Sequence, residues 1–322
     1  MDQREMFVRL RGMAWLAVCL FPFCATTAAG GANPAYNFLR SDISSRAAGM
    51  GGSFVGILDD PTSIFFNPAG LSTLSRPAGS VGFFKHLLDI NTGYVAFTTP
   101  VEGAGFVGAS VLYTDYGSFD RTDEASNVLG EFSAGDLSFA VAYSNLLQEH
   151  LHFGITVKYI HAIIDQYTSS AFAADFGILY NIPDSRVTLG ASVLNLGTQV
   201  TEFESTAEDL PLDIVIGGSV VPRGIPLLLH LSFHKLNAET ENFADRFRSF
   251  RVGGEFTLSQ ALRLRFGYDN EKRTDLKIGN SAGLAGFSGG LGIVVSDYRI
   301  DYALSSWGNI GELHRFSVAA SF

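Results

Sequence analysis

The sequence predicts an all-β protein, a transmembrane antiparallel β-barrel of about fourteen strands. Three observations predict it: apolar residues recur at every second position over most of the chain, the connections alternate between short and long, and the N-terminus reads as an export signal. The composition agrees. Hydrophobic residues make up 47% and charged residues 17%, and the mean hydropathy is +0.20, yet no run of 18 apolar residues is available for a spanning helix. With 35 Gly and 27 Phe, the chain favours strands over helices.

Arg4, Arg9 and Arg11 precede an apolar run from Met13 to Ala25, too short to span a bilayer. Thr27, Ala28 and Ala29 follow, so residues 1–29 read as a removable signal peptide. Val18 before Cys19 and Phe23 before Cys24 are not the small residues a lipobox needs. Both cysteines fall within this segment, which leaves the mature chain without a disulfide or a Cys-ligated metal site. Removing it moves the formal charge from −10 to −11, against nucleic acid as a partner. The next stretch, "DDPTSIFFNPAGL" from Asp59 to Leu71, fits neither an amphipathic helix nor an alternating strand.

Past about Ala78 the alternation takes over. Leu262, Leu264, Phe266 and Tyr268 enclose Arg263, Arg265 and Gly267, and Tyr298 to Leu304 repeats the pattern around Arg299 and Asp301. Fourteen segments are expected to start near Ser80, Asn91, Gly103, Asp136, His150, Ala171, Val187, Leu212, Leu227, Phe247, Ala261, Ala285, Tyr298 and Leu313. Short turns such as Glu102-Gly103, Pro183 to Arg186 and Ser296-Asp297 alternate with longer polar stretches: Asp115 to Gly135, Thr198 to Pro211, Asn237 to Arg246 and Glu271 to Leu284. An even strand number places both termini on the short-turn, periplasmic side of a bacterial outer membrane. A soluble sandwich explains the alternation but not the loop asymmetry together with the signal peptide.

In lipid every backbone polar group needs a partner within the protein, and an arginine on the lipid face costs roughly 2–4 kcal/mol near the midplane. Lys158, Arg251, Glu255, Arg263, Arg265, Arg299 and Asp301 are therefore expected to line the lumen. Their mixed sign favours pairing across the interior over a substrate site.

Other motifs yield to plainer readings. "GAGFVG", Gly103 to Gly108, spells a dinucleotide fingerprint but runs into another strand, with no helix N-terminus for a pyrophosphate. Its glycines, Gly103, Gly105 and Gly108, are expected to permit a strand kink or bulge. His150, His152 and His161 lack a third ligand at short spacing, so neither a metal nor a cofactor is expected. Asp59-Asp60 reads as a turn or helix cap. No nucleophile-and-base spacing points to an enzyme.

The segment "SSRAAGMGGSFVGILDDPTSIFFNPAGLS", Ser44 to Ser72, resembles the N-terminal signature of FadL-like outer-membrane barrels, and within them is most similar to the PorV/PorQ family associated with type IX secretion. The carrying residues include Arg46, Gly49, Gly51, Gly52, Asp60, Asn67, Pro68, Ala69, Gly70 and Leu71. The terminal Phe322 is like the C-terminal aromatic of outer-membrane barrels. The resemblance implies that residues 30–78 form a plug inside a barrel of residues 79–322, with Asn67, Pro68, Ala69 and Gly70 as the plug motif. It places Ile64, Phe65 and Phe66 as contacts for a hydrophobic ligand, and a strand kink at the third strand's glycines. The main expectation is thus a PorV/PorQ-like barrel in the outer-membrane bilayer, serving secretion-system proteins or small hydrophobic molecules. The alternative is a FadL-type channel for fatty acids or other hydrophobic compounds, and a hydrolase ranks last.

Overall fold

Residues 35–203, 207–277 and 282–322 are described by a computed structural model. The expected signal peptide and the first residues of the expected plug, 30–34, lie outside them. Fourteen strands are present: β1 (Ala78–Lys85), β2 (Asn91–Val101), β3 (Gly105–Thr122), β4 (Val128–Gln148), β5 (Leu151–Ile164), β6 (Tyr167–Asn181) and β7 (Val187–Thr201). They continue as β8 (Asp213–Val220), β9 (Leu227–Phe233), β10 (Phe250–Thr257), β11 (Leu262–Asp269), β12 (Phe287–Val295), β13 (Tyr298–Ser306) and β14 (Glu312–Ser321). Each pairs antiparallel with its sequence neighbours, and β1 closes on β14 from Ala78↔Ser321 to Lys85↔His314. Closure gives each strand a neighbour on both sides, although β3 beyond Asp115 and β7 beyond Leu194 pair on one side only.

Alternation sorts the side chains. Val81, Phe83, Val95, Phe97, Val111, Val157, Phe172, Ile293, Phe316 and Val318 all stand exposed on the outer wall. The positions between them, such as Ser80, Thr92, Ser110, Thr156 and Ser317, are buried on the inner face. An apolar outside and a polar inside invert the soluble pattern. Among the described residues no helix is long and apolar enough to cross a membrane.

The wall is uneven. β3 to β7 run 14 to 21 residues, whereas β8 to β14 run 7 to 10. This corrects the expected long polar loop from Asp115 to Gly135: most of it is strand, and the connection shrinks to residues 123–127. Here the β3–β4 ladder continues through Ser118, Asp120, Arg121 and Glu131. The backbone pairing continues without the hydrophobic alternation that would announce it. β7 likewise extends to Thr201. The stretch from Glu271 to Leu284 holds a six-residue helix, α2 (Asn270–Asp275), whose amide at Lys272 is capped by Asp269 Oδ1 at 3.1 Å.

The preceding segment packs on the inner face. A five-residue helix, α1 (Ser45–Gly49), is followed by 3₁₀ turns at Pro61–Phe65 and Pro68–Thr73. α1 lies against β11, β12 and β13, and the second 3₁₀ turn against β4, β5 and β6. The segment thus contacts strands on both sides of the barrel, and its helix and turns are buried.

Candidate functional site

Two Asx-Pro pairs shape the stretch from Asp59 to Leu71. Asp60 Oδ1 accepts from the Thr62 amide (2.9 Å) and Asn67 Oδ1 from the Ala69 amide (3.2 Å), each with proline at the first helical position. Proline there gives up an amide that had no helical partner. The Asn67 side-chain amide is also spent: it donates to Val55 O at 2.7 Å and to Ile178 O of β6 at 3.0 Å. The barrel makes room for this backbone. A Cβ at Gly154 would collide with the Pro68 carbonyl, and one at Gly177 with the Asn67 side chain. Pro68, Ala69 and Gly70 are buried in that seat.

Opposite lies a closed ring of six charges. Asp60 Oδ2 accepts from Arg46 Nη1 (3.0 Å) and Arg299 Nη2 (2.7 Å), and Arg46 Nη2 reaches Glu255 Oε1 at 2.8 Å. Glu255 Oε2 accepts from Arg265 Nε (2.7 Å), whose Nη1 lies 2.7 Å from Asp301 Oδ1. Asp301 Oδ2 returns to Arg299 Nε at 2.8 Å. Three arginines alternate with three carboxylates, so the ring is formally neutral. Arg46 and Asp60 come from the inner segment and the other four from β10, β11 and β13. Burial alone pushes the Asp60 carboxyl up, but Arg299, Arg46 and the Thr62 hydrogen bonds hold it well below the usual range. A second cluster joins Asp42 to Arg251 at 3.1 Å and to Lys272, and Arg251 to Asp269 at 3.1 Å. Across the lumen Lys158 pairs with Asp175 (2.7 Å) and donates to Asn195 Oδ1 (2.8 Å). Arg263 alone of the named lumen charges has no carboxylate partner among the described residues; it donates to backbone carbonyls of the β10–β11 turn.

Three cavities flank the segment, and no residue lines more than one of them. One, of about 750 Å³, opens at the short-turn end beside Arg46, Arg186, Arg263 and Arg299. Another, about 230 Å³, touches Phe65, Phe66, Asp213 and Arg251. The third, about 430 Å³, lies at the tall rim between Ala35, Tyr36, Tyr116, Phe119, Phe132, Ala134, Asp136, Ala162, Ile164, Phe203 and Glu208. Ile64 lines none of these three; it packs with Leu71, Ala96 and Ala142. Phe65 stacks edge-on to Tyr94 at 5.6 Å and Phe66 against Phe54 at 4.9 Å. The aromatic-walled cavity is therefore built from residues that sequence reasoning did not single out.

One reason is a bulge. β3 faces inward at Ser110, Leu112 and Thr114, all buried, while Val111 and Tyr113 are exposed. On the same alternation Phe119 belongs outside. Between Asp115 and Ser118 the register slips by one residue, at Gly117 with φ +80°. The extra residue turns Phe119 inward, where it stacks on Phe132 at 5.4 Å. At Gly103, Gly105 and Gly108 no bulge is present: β3 pairs with β2 without a register shift from Gly105 to Asp115, and Gly103 sits in the preceding turn. Those small residues leave the ladder intact, because a bulge needs an unpaired extra residue and none exists there. Gly117, in "DYGSF", was the available signal.

Two Ser–His contacts also appear, Ser53 with His230 Nδ1 and Ser72 with His152 Nδ1 (2.8 Å). The Gly56 amide donates to His230 Nε2 at 2.8 Å, so that nitrogen accepts and the ring proton sits on Nδ1, donating to Ser53. In that tautomer His230 cannot take the serine proton.

No family model and no curated protein matches the chain. Solved structures do. The Ralstonia pickettii toluene transporter TbuX aligns with a TM-score of 0.58 at 11% identity, over 87% of this chain and 98% of that one. The P. putida toluene transporter TodX gives 0.59 at 12%, over the same shares. A Pseudomonas aeruginosa FadL homologue gives 0.55 at 11%, again over 87% and 98%. The chain has their fold. At these identities the likeness is one of architecture, a closed fourteen-strand barrel.

Proposed function

We propose that this chain is an outer-membrane channel for small hydrophobic compounds, exported by residues 1–29 and plugged by the segment that ends at β1. The observation that carries the reading is the cavity of about 430 Å³ at the tall rim, walled by Tyr36, Tyr116, Phe119, Phe132 and Phe203. An apolar recess with a few polar groups is the usual form of a small-molecule site. Below it, Tyr36, Phe38, Tyr94, Leu112 and Ile160 form one continuous apolar cluster, which offers a hydrophobic solute contacts between rim and plug. The toluene and FadL-type neighbours support the same reading. Catalysis has no such support, and we read the protein as a non-enzyme.

Burying a methylene contributes about 0.8 kcal/mol, roughly fourfold in affinity. Alkylbenzenes of increasing chain length should therefore bind the purified barrel progressively more tightly until the cavity is full. Ala162→Phe, at a buried position on the cavity wall, should abolish that trend. A flat series, or one indifferent to Ala162→Phe, would sink the proposal. A PorV/PorQ-like secretion accessory is the second reading, favoured by the Ser44 to Ser72 signature. It requires a deletion strain that lacks particular surface proteins while taking up alkylbenzenes normally.

A further inference from the structure

Among the described residues the buried carboxylates of this barrel keep basic company, with one exception. Asp60, Glu255 and Asp301 sit in the arginine ring, Asp42 and Asp269 share Arg251 and Lys272, Asp175 meets Lys158, and Asp213 lies 3.4 Å from His234 Nδ1. Asp136 is just as buried, at 9% exposure, and has no basic partner among the described residues. Its Oδ2 accepts from Tyr116 OH at 2.6 Å, and its Oδ1 has no partner among them. Asp136 lines the aromatic cavity. None of that cavity's lining residues is Lys, Arg or His, and its second acid, Glu208, is exposed at the mouth. The nearest arginine along β3, Arg121, is paired with Asp165.

An unpaired carboxylate in a low-dielectric wall is costly unless it takes up a proton or a positive charge joins it. Aromatic faces add their own attraction for cations. Tyr36, Tyr116, Phe119, Phe132 and Phe203 supply those faces beside Asp136. We propose that the cavity takes hydrophobic compounds that carry an ammonium group, with the apolar body against the rings and the charge at Asp136 Oδ1. The missing basic partner is then the ligand. The same arrangement excludes hydrophobic carboxylates, whose charge would meet Asp136 and Glu208 with nothing to offset it. This inference rests on the hydrophobic-compound reading and narrows its substrate class.

Three probes of one skeleton test it on the purified full-length mature barrel in detergent: butylbenzene, 4-phenylbutylammonium and 4-phenylbutyrate. The ammonium compound should bind roughly thirtyfold more tightly than the carboxylate, the size of a desolvated cation–π contribution, and the gap should narrow at high salt. Asp136→Asn keeps the shape and the tyrosine hydrogen bond but removes the charge, so the ratio of ammonium to butylbenzene affinity should fall. Folding of the variant is checked by its heat-dependent gel mobility; if it fails to fold, Glu208→Gln and the salt dependence of the wild type decide. Equal binding of all three probes, or a preference that survives both substitutions and high salt, overturns this inference and leaves the hydrophobic-channel reading in place. Failure of every probe to bind overturns both.

Discussion

Asp60 is wholly buried and shared by Arg46 and Arg299, so replacing it with asparagine leaves two guanidiniums facing a neutral amide. Breaking a buried ion pair from one side costs roughly 3–5 kcal/mol. Asp60→Asn should lower the midpoint of heat-dependent gel mobility accordingly, and adding Arg46→Met to it should recover part of the loss by restoring neutrality. The same residues set an acid limit. Burial pushes Asp42 up, but Lys272 and Arg251 hold it, like Asp60, well below the usual carboxylate range. Such groups bind fewer protons folded than unfolded, so their contribution is complete above about pH 4 and drains as pH falls through the depressed values. His86, in the β1–β2 turn, is lowered to about 4 by burial and then by Arg315. Unfolded it titrates near 6.5, so its share of stability is lost between about pH 6.5 and 4 and is constant below. Melting followed against pH should show two separate declines, and His86→Phe should shrink only the upper one. Arg263, Arg265, Arg299 and Asp301 were legible in sequence as inward residues because each interrupts an apolar alternation. Arg46 and Asp60, which pair with Glu255 and Arg299, were visible only as parts of a motif, since no periodicity connects residues some two hundred positions apart.

Strands were readable wherever one face meets an apolar surroundings and the other does not. The fourteen segments follow from that contrast, and the heights of β3, β4 and β7 do not, because their upper ladders lack it. The bulge was hidden for a related reason: it changes which face a side chain takes without changing the residues. Gly117 lies at φ +80° with nothing near its missing Cβ, so a side chain there would suffer from dihedral strain alone. Gly117→Val should cost about 1–3 kcal/mol or force a regular ladder that turns Phe119 outward. Deleting Gly117 outright should be milder. It aligns Tyr116 with Ala134, Ser118 with Ser133 and Phe119 with Phe132, a continuous register that keeps Phe119 inside. Butylbenzene binding should therefore survive the deletion and weaken in the valine variant; the reverse order would show that the bulge does not position Phe119.

On the scale of the whole molecule the interior has two halves. β10 to β14 carry the arginines and carboxylates that grip α1 and Asp60, while β2 to β6 carry Tyr94, Leu112, Ile160, Ala162 and Ala173 against Tyr36 and Phe38. The inner segment is thus held ionically on one side and by apolar packing on the other. The glycine seats have a further consequence. Gly154, Gly177, Gly190, Gly253 and Gly267, on five strands around the ring, each hold the inner segment closer than a Cβ would allow. A fit this close is expected of a segment that serves as a mandrel, with the wall closing around it rather than the segment entering a finished barrel. A peptide of residues 35–77 supplied in trans should therefore join a barrel lacking that segment only when both refold together. Uptake by the already closed barrel would mean that the seam reopens, and that the mandrel can be withdrawn.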